Sequence, residues 1–66
     1  MVKLYNVPPN SRIDVSHLGL TIKESGEDVD ELDFKHIDGM YSLSYFEHNG
    51  EMVPVHLQAW TEVKVL

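Results

Sequence analysis

The sequence predicts a small all-β domain, an antiparallel barrel or sandwich of five short strands, and three observations predict it. Apolar and polar residues alternate singly over several stretches, the period of a half-buried strand. Asp38-Gly39 and Asn49-Gly50, dipeptides suited to tight hairpins, stand between those stretches. No segment carries the apolar stripe that a long helix needs. Sixty-six residues make one domain, residues 1–66, with no room for a second core.

Val2 to Asn6 suits a short edge strand. Pro8-Pro9-Asn10-Ser11 then interrupts any ladder, because proline fixes φ and lacks an N–H. From Ser11 to Ser16 the chain alternates, with Ile13 and Val15 on one face and Arg12 and Asp14 on the other. His17-Leu18-Gly19 reads as a bend, and Leu20 and Ile22 continue the alternation. Glu24 to Asp30 forms a polar loop, with room for a short helix at Asp28 to Leu32 but no stripe for a long one.

A second strand follows, with Leu32, Phe34 and His36 alternating against Asp33 and Lys35. Asp38-Gly39 turns the chain, since glycine takes the positive φ of a hairpin. Tyr41, Leu43 and Tyr45 alternate with Ser42 and Ser44 in the third strand, where the small serines mean either close packing or solvent. His48-Asn49-Gly50 is the strongest hairpin signal. Met52 to Leu57 is the fourth strand, and Pro54 assigns it to an edge or a bulge. Gln58-Ala59-Trp60 makes a corner, and Thr61 to Leu66 is the last strand, with Val63 and Val65 inward. Phe34, Tyr41, Tyr45, Phe46 and Trp60 are the expected bulky contributors to the core.

Composition narrows the function classes. Eleven acidic residues against five basic ones give a net charge of −6, which argues against duplex DNA and anionic membranes. Single-stranded nucleic acid stays open, because base stacking supplies part of that binding energy. With no cysteine there is neither a disulfide nor a thiolate zinc site. A domain this small, buried to only about 60% of its unfolded surface, gains from partner subunits, as do its open strand edges. The apolar runs are too short to span a membrane and no signal peptide is evident at Met1 to Tyr5, so a soluble intracellular protein is expected.

No residue cluster reads as a catalytic centre. The serines lack a Gly-x-Ser-x-Gly elbow and the glycines lack a phosphate-binding pattern, so an enzyme is not expected, nor a cofactor. His36 and Asp38, two apart on a strand, could share a cation with His56; polar surface histidines are the plainer reading. A patch of His36, Asp38, Tyr41, Gln58 and Trp60 has the groups to stack a base and bond its edge. Against this stands a packing role, with Trp60 capping a barrel end and Tyr41 crossing a subunit boundary.

Lys3-Leu4-Tyr5-Asn6-Val7-Pro8, His36-Ile37-Asp38-Gly39-Met40-Tyr41-Ser42 and Ala59-Trp60-Thr61-Glu62-Val63 resemble a group of small marine-phage (cyanophage-type) proteins of uncharacterised function associated with an Sm-like fold. The resemblance implies a five-stranded, strongly bent antiparallel barrel of the SH3-like kind. It also implies a homo-oligomeric ring, a role in single-stranded RNA or DNA binding or processing, and a place in the cytoplasm of the infected host cell. Asp38-Gly39-Met40-Tyr41 reproduces the Asp and apolar positions of the first Sm motif but has Tyr where the family has Asn. Gln58-Ala59-Trp60 lacks the basic residue and glycine of the second motif, and no N-terminal helix is evident. The alternative is a protein–protein interaction module that binds no nucleic acid.

Overall fold

Eight strands and two single 3-10 turns make up the regular structure of residues 1–66 in a computed structural model of the chain. The strands are β1 (Val2–Lys3), β2 (Ser11–Asp14), β3 (Leu20–Thr21), β4 (Asp28–Val29), β5 (Glu31–Asp38), β6 (Tyr41–His48), β7 (Glu51–Pro54) and β8 (Glu62–Val65). Six of them form one sheet in the order β1-β8-β2-β5-β6-β7, while β3 and β4 pair separately. Every pairing is antiparallel, so the all-β antiparallel class read from the sequence stands. No helix is long and apolar enough to cross a membrane.

The five strands read from the sequence correspond to β2, β5, β6, β7 and β8, and the differences lie around them. The short edge strand expected at Val2 to Asn6 stops at Lys3, because Leu4–Asn6 coils into a 3-10 turn closed by Val7 N–H donating to the Leu4 carbonyl at 3.0 Å. That coil sinks Leu4 completely into the core. Between β2 and β5, no helix forms at Asp28 to Leu32. Leu20 pairs with Val29 instead, and Val29 is buried.

Both hairpins follow their turn residues. Asn49 (φ 50°) and Gly50 (φ 81°) both sit at positive φ between the paired residues His48 and Glu51, as a type I′ turn demands. Gly39, at φ 66°, opens the two-residue turn between Asp38 and Tyr41.

A bulge at Lys35 bends β5. Phe34 pairs with Ser44 and His36 with Leu43, so Lys35 has no partner on β6. The Lys35 carbonyl accepts from Asn10 N–H at 2.9 Å instead. One extra residue reverses the phase of the strand beyond it. His36, expected to continue the face of Leu32 and Phe34, is therefore exposed, and Ile37 packs against the core in its stead.

Strand β6 settles its own ambiguity: the serines point inward. Ser42 and Ser44 are buried, while Tyr41 and Leu43 occupy the outer face. Ser44 lies opposite Phe34 and Ser42 opposite Ile37, so small side chains face large ones across the ladder. The Ser42 hydroxyl oxygen accepts two hydrogen bonds. Leu57 N–H donates to Ser42 Oγ at 3.0 Å, and Ser44 Oγ donates to Ser42 Oγ at 2.8 Å.

The core is mostly aliphatic: Leu4, Val7, Ile13, Val15, Ile22, Val29, Leu32, Leu57 and Val63 surround Phe34. Of the five expected aromatic contributors, Phe34 alone is fully inside and Phe46 packs at the margin. Tyr41 and Trp60 remain 52% and 45% exposed. Val65, expected inward beside Val63, is exposed too. Pro54 lies on the edge strand β7, as its missing N–H requires. The two-residue hairpin turns the backbone groups of Glu51 and Val53 toward β6, leaving those of Met52 and Pro54 outward. Met52 is thus the one residue of this edge that offers a free N–H.

Charges tie β2 to β5 on the outer face. Arg12 Nε and Nη1 donate to Glu31 Oε1 (2.9 Å) and Asp33 Oδ1 (2.8 Å), and hydrogen bonds to these two carboxylates raise the guanidinium pKa further. The Asp14 carboxyl is held below its usual range by the Ser16 hydroxyl and then by the Ser16 N–H, at 2.7 and 2.9 Å.

Ser42→Ala leaves the Leu57 N–H buried without its acceptor, and urea unfolding should show a loss of about 1–3 kcal/mol. Ser44→Ala removes a donor but strands no N–H, so its loss should be the smaller of the two. A carboxyl whose folded pKa is depressed adds stability that is complete above its unfolded pKa and is lost as pH falls through the folded value. Ser16→Ala should therefore move the Asp14 titration, followed by NMR, back up toward the ordinary carboxylate range and shrink the acid-side loss of stability.

Candidate functional site

Paired residues of an antiparallel ladder project to the same face, so the register lays out the outer surface of the sheet. Asp38 pairs with Tyr41, and Tyr41 bridges in turn to Gln58. These three make one row across β5, β6 and the segment after β7. The neighbouring row holds His36 and Leu43, which are paired, with His56 alongside through its hydrogen bond to the Ser42 carbonyl. A third row runs Asp33, Tyr45, Pro54.

An open cavity of about 400 Å³ lies among the first two rows, lined by Asp38, Tyr41, Ser42, Leu43 and His56. Its far wall exists because residues 55–59 keep following β6 after Pro54 ends the regular strand. Val55 N–H donates to Ser44 O (2.8 Å), Ser42 N–H to Leu57 O (2.8 Å) and Ala59 N–H to Met40 O (2.9 Å).

Of the residues the sequence singled out, Asp38 and Tyr41 line this cavity and Gln58 borders it. His36 stands one row away, exposed, with Nδ1–H donating to the Ile37 carbonyl at 3.0 Å. Trp60 lies elsewhere. It sits inside the turn closed by Thr61 N–H on Gln58 O, on a segment clamped to the N-terminal stretch. Tyr5 N–H donates to Ala59 O (3.0 Å) and Leu4 N–H to Thr61 O (2.9 Å). Three lining residues, Ser42, Leu43 and His56, were absent from the sequence-derived patch. His56 was findable, since it alternates with Val55 and Leu57; Leu43 was not, because its strand looked inverted.

His36, Asp38 and His56 do not converge as ligands, and no three His, Asp or Glu side chains are grouped for a metal ion. Each histidine has a local partner instead. His17 Nε2–H donates to the Glu62 carbonyl at 2.7 Å, and His48 pairs with Glu27 across to the loop between β3 and β4. His56 Nδ1–H donates to the Ser42 carbonyl at 2.9 Å. A carbonyl only accepts, so a neutral His56 carries its proton on Nδ1 and keeps a lone pair on Nε2.

Asp38 is the one carboxylate among the lining residues, and no salt bridge within the chain engages it. Neither Lys nor Arg lines the cavity. Fold and site together define a small antiparallel β module with one open pocket, acidic and aromatic. Compared with known proteins, the chain has no significant match to a family model, a curated protein or a solved structure.

Long-range ¹⁵N–¹H correlation spectra of the imidazoles should report the Nδ1-protonated tautomer for neutral His56. The Nε2-protonated form would mean that the bond to Ser42 is not made.

Proposed function

We propose that the chain is a non-catalytic binding module of Sm-like build, working through the outer face of β5, β6 and residues 55–58 on a partner protein of opposite charge. The cavity carries this reading: its one carboxylate, Asp38, stands beside the half-exposed ring of Tyr41, on a chain of net charge −6. A cationic partner is attracted to such a surface, and a polyanion is repelled.

The Sm-like part of the proposal is supported by strand order. In β8-β2-β5-β6-β7, β2, β5, β6 and β7 follow one another and β8 returns beside β2. That is the order of a five-stranded barrel of this kind, with β1 and the β3–β4 hairpin as additions. A homo-oligomeric ring of phage origin is what the sequence resemblance implies, and the open β7 edge supports it. Because Pro54 withholds a donor there, such a joint would rest on side chains more than on a full ladder.

A second reading, single-stranded nucleic acid, is favoured by the row Asp38–Tyr41–Gln58, an exposed ring between two groups able to bond a base edge. It ranks second because so few basic side chains are present to neutralise phosphates.

Amide-shift titrations with a mixed Lys/Arg decapeptide, oligo-uridine and oligo-adenine, at low and physiological salt, separate the two. The peptide should shift residues 38, 41–43 and 56–58, and Tyr41→Ala should weaken it roughly 3- to 30-fold, the range of a lost cation–π contact. Shifts at Tyr41 and Gln58 with oligo-uridine, and none with the peptide, would transfer the face to nucleic acid. No binding of either tighter than about 100 μM at low salt would remove both readings.

A further inference from the structure

We propose that the group this cavity accepts is an arginine guanidinium of the partner chain, an inference that rests on the binding-module reading above. It follows from the hydrogen-bonding inventory of the walls. Asp38, as a carboxylate, only accepts. Neutral His56 spends Nδ1–H on the Ser42 carbonyl, which leaves the Nε2 lone pair, another acceptor. The Ser42 hydroxyl faces inward, where its oxygen accepts from Leu57 N–H and Ser44 Oγ, and the residue is buried, so it presents no donor to the cavity. Across the ladder from Leu43, though not itself lining the cavity, neutral His36 repeats the pattern: Nδ1–H goes to the Ile37 carbonyl and Nε2 remains an acceptor.

Acceptors gathered beside an aromatic ring and the apolar Leu43 call for a ligand rich in N–H donors with a flat, weakly hydrated body. A guanidinium has five such donors in a plane and stacks on aromatic faces. An ammonium is compact and strongly hydrated, and so loses more on entering a partly apolar pocket. The cavity, at about 400 Å³, falls at the small end of ligand pockets and has room for a whole arginine side chain.

The same strand already displays this chemistry. Near the start of β5, Glu31 and Asp33 share the guanidinium of Arg12, at 2.9 and 2.8 Å. At the other end of β5, Asp38 has no such partner within the chain. The pocket around it lacks a guanidinium of its own, and a partner supplies one.

Three pentapeptides test this, identical but for a central arginine, lysine or citrulline, the last being the neutral isostere of arginine. Each is titrated into the intact ¹⁵N-labelled chain up to millimolar concentration. The arginine peptide should shift residues 38, 41, 43 and 56 and bind at least ten-fold tighter than citrulline and several-fold tighter than lysine. Asp38→Asn, at an exposed position, should erase the advantage of arginine over citrulline while leaving the spectrum folded. Lysine binding as well as arginine would overturn the guanidinium assignment and leave the binding module intact. Equal binding of all three, or an arginine preference that survives Asp38→Asn, would overturn it too. Failure of the mixed-peptide titration described above would remove both proposals together.

Discussion

The arrangement of this molecule depends on how Ser42 holds Leu57. Pro54 ends the regular pairing of β7, yet the chain must go on covering β6 until it reaches β8. Ser42 makes this possible from both its backbone and its side chain. Its N–H donates to the Leu57 carbonyl and its hydroxyl accepts the Leu57 N–H, so the irregular stretch has its polar groups satisfied inside the protein. Leu57 can then enter the core, and His56, next in line, is turned outward to bond the Ser42 carbonyl. One buried serine thus closes the core on one side and builds the cavity wall on the other.

The bulge at Lys35 completes the arrangement from the opposite flank. Without the extra residue, His36 would continue the inward face of Leu32 and Phe34, and Ile37 would face solvent. With it, the outer half of β5 presents His36 and Asp38 beside Leu43 and Tyr41. The bend and the chemistry of the outer face therefore have a single origin. Charge is divided along the same strand, with Glu31 and Asp33 neutralised by Arg12 and Asp38 left unpaired.

Much of this was legible before any coordinates, and the misses share a cause. Asn49-Gly50 and Asp38-Gly39 announced their hairpins through local φ requirements, and Ile13 and Val15 announced the buried face of β2. Strand β6 was readable as a strand but not in its orientation. Tyr41-x-Leu43-x-Tyr45 looks like a core face, and only a partner with inward polar needs makes Ser42-x-Ser44 the buried one. His36 was misphased because a bulge leaves no mark in an alternating pattern. Within the candidate site, Asp38, Tyr41 and Gln58 were brought together by turns and register. Trp60 was not, because its segment is drawn to the N-terminal stretch by the hydrogen bonds of Leu4 and Tyr5.

Local chemistry by itself determined the all-β class, the places where the chain reverses, the absence of thiol chemistry and the acidic character of the surface. Each of these follows from the conformational or ionic preference of a residue and its immediate neighbours. Tertiary structure alone decided which face of β6 is buried, where β5 bends, and that His56 rather than Trp60 stands beside Asp38 and Tyr41. Those outcomes turn on whether a buried N–H such as that of Leu57 finds an acceptor. Its acceptor, Ser42, is fifteen positions away, and no local pattern encodes a pairing over that distance.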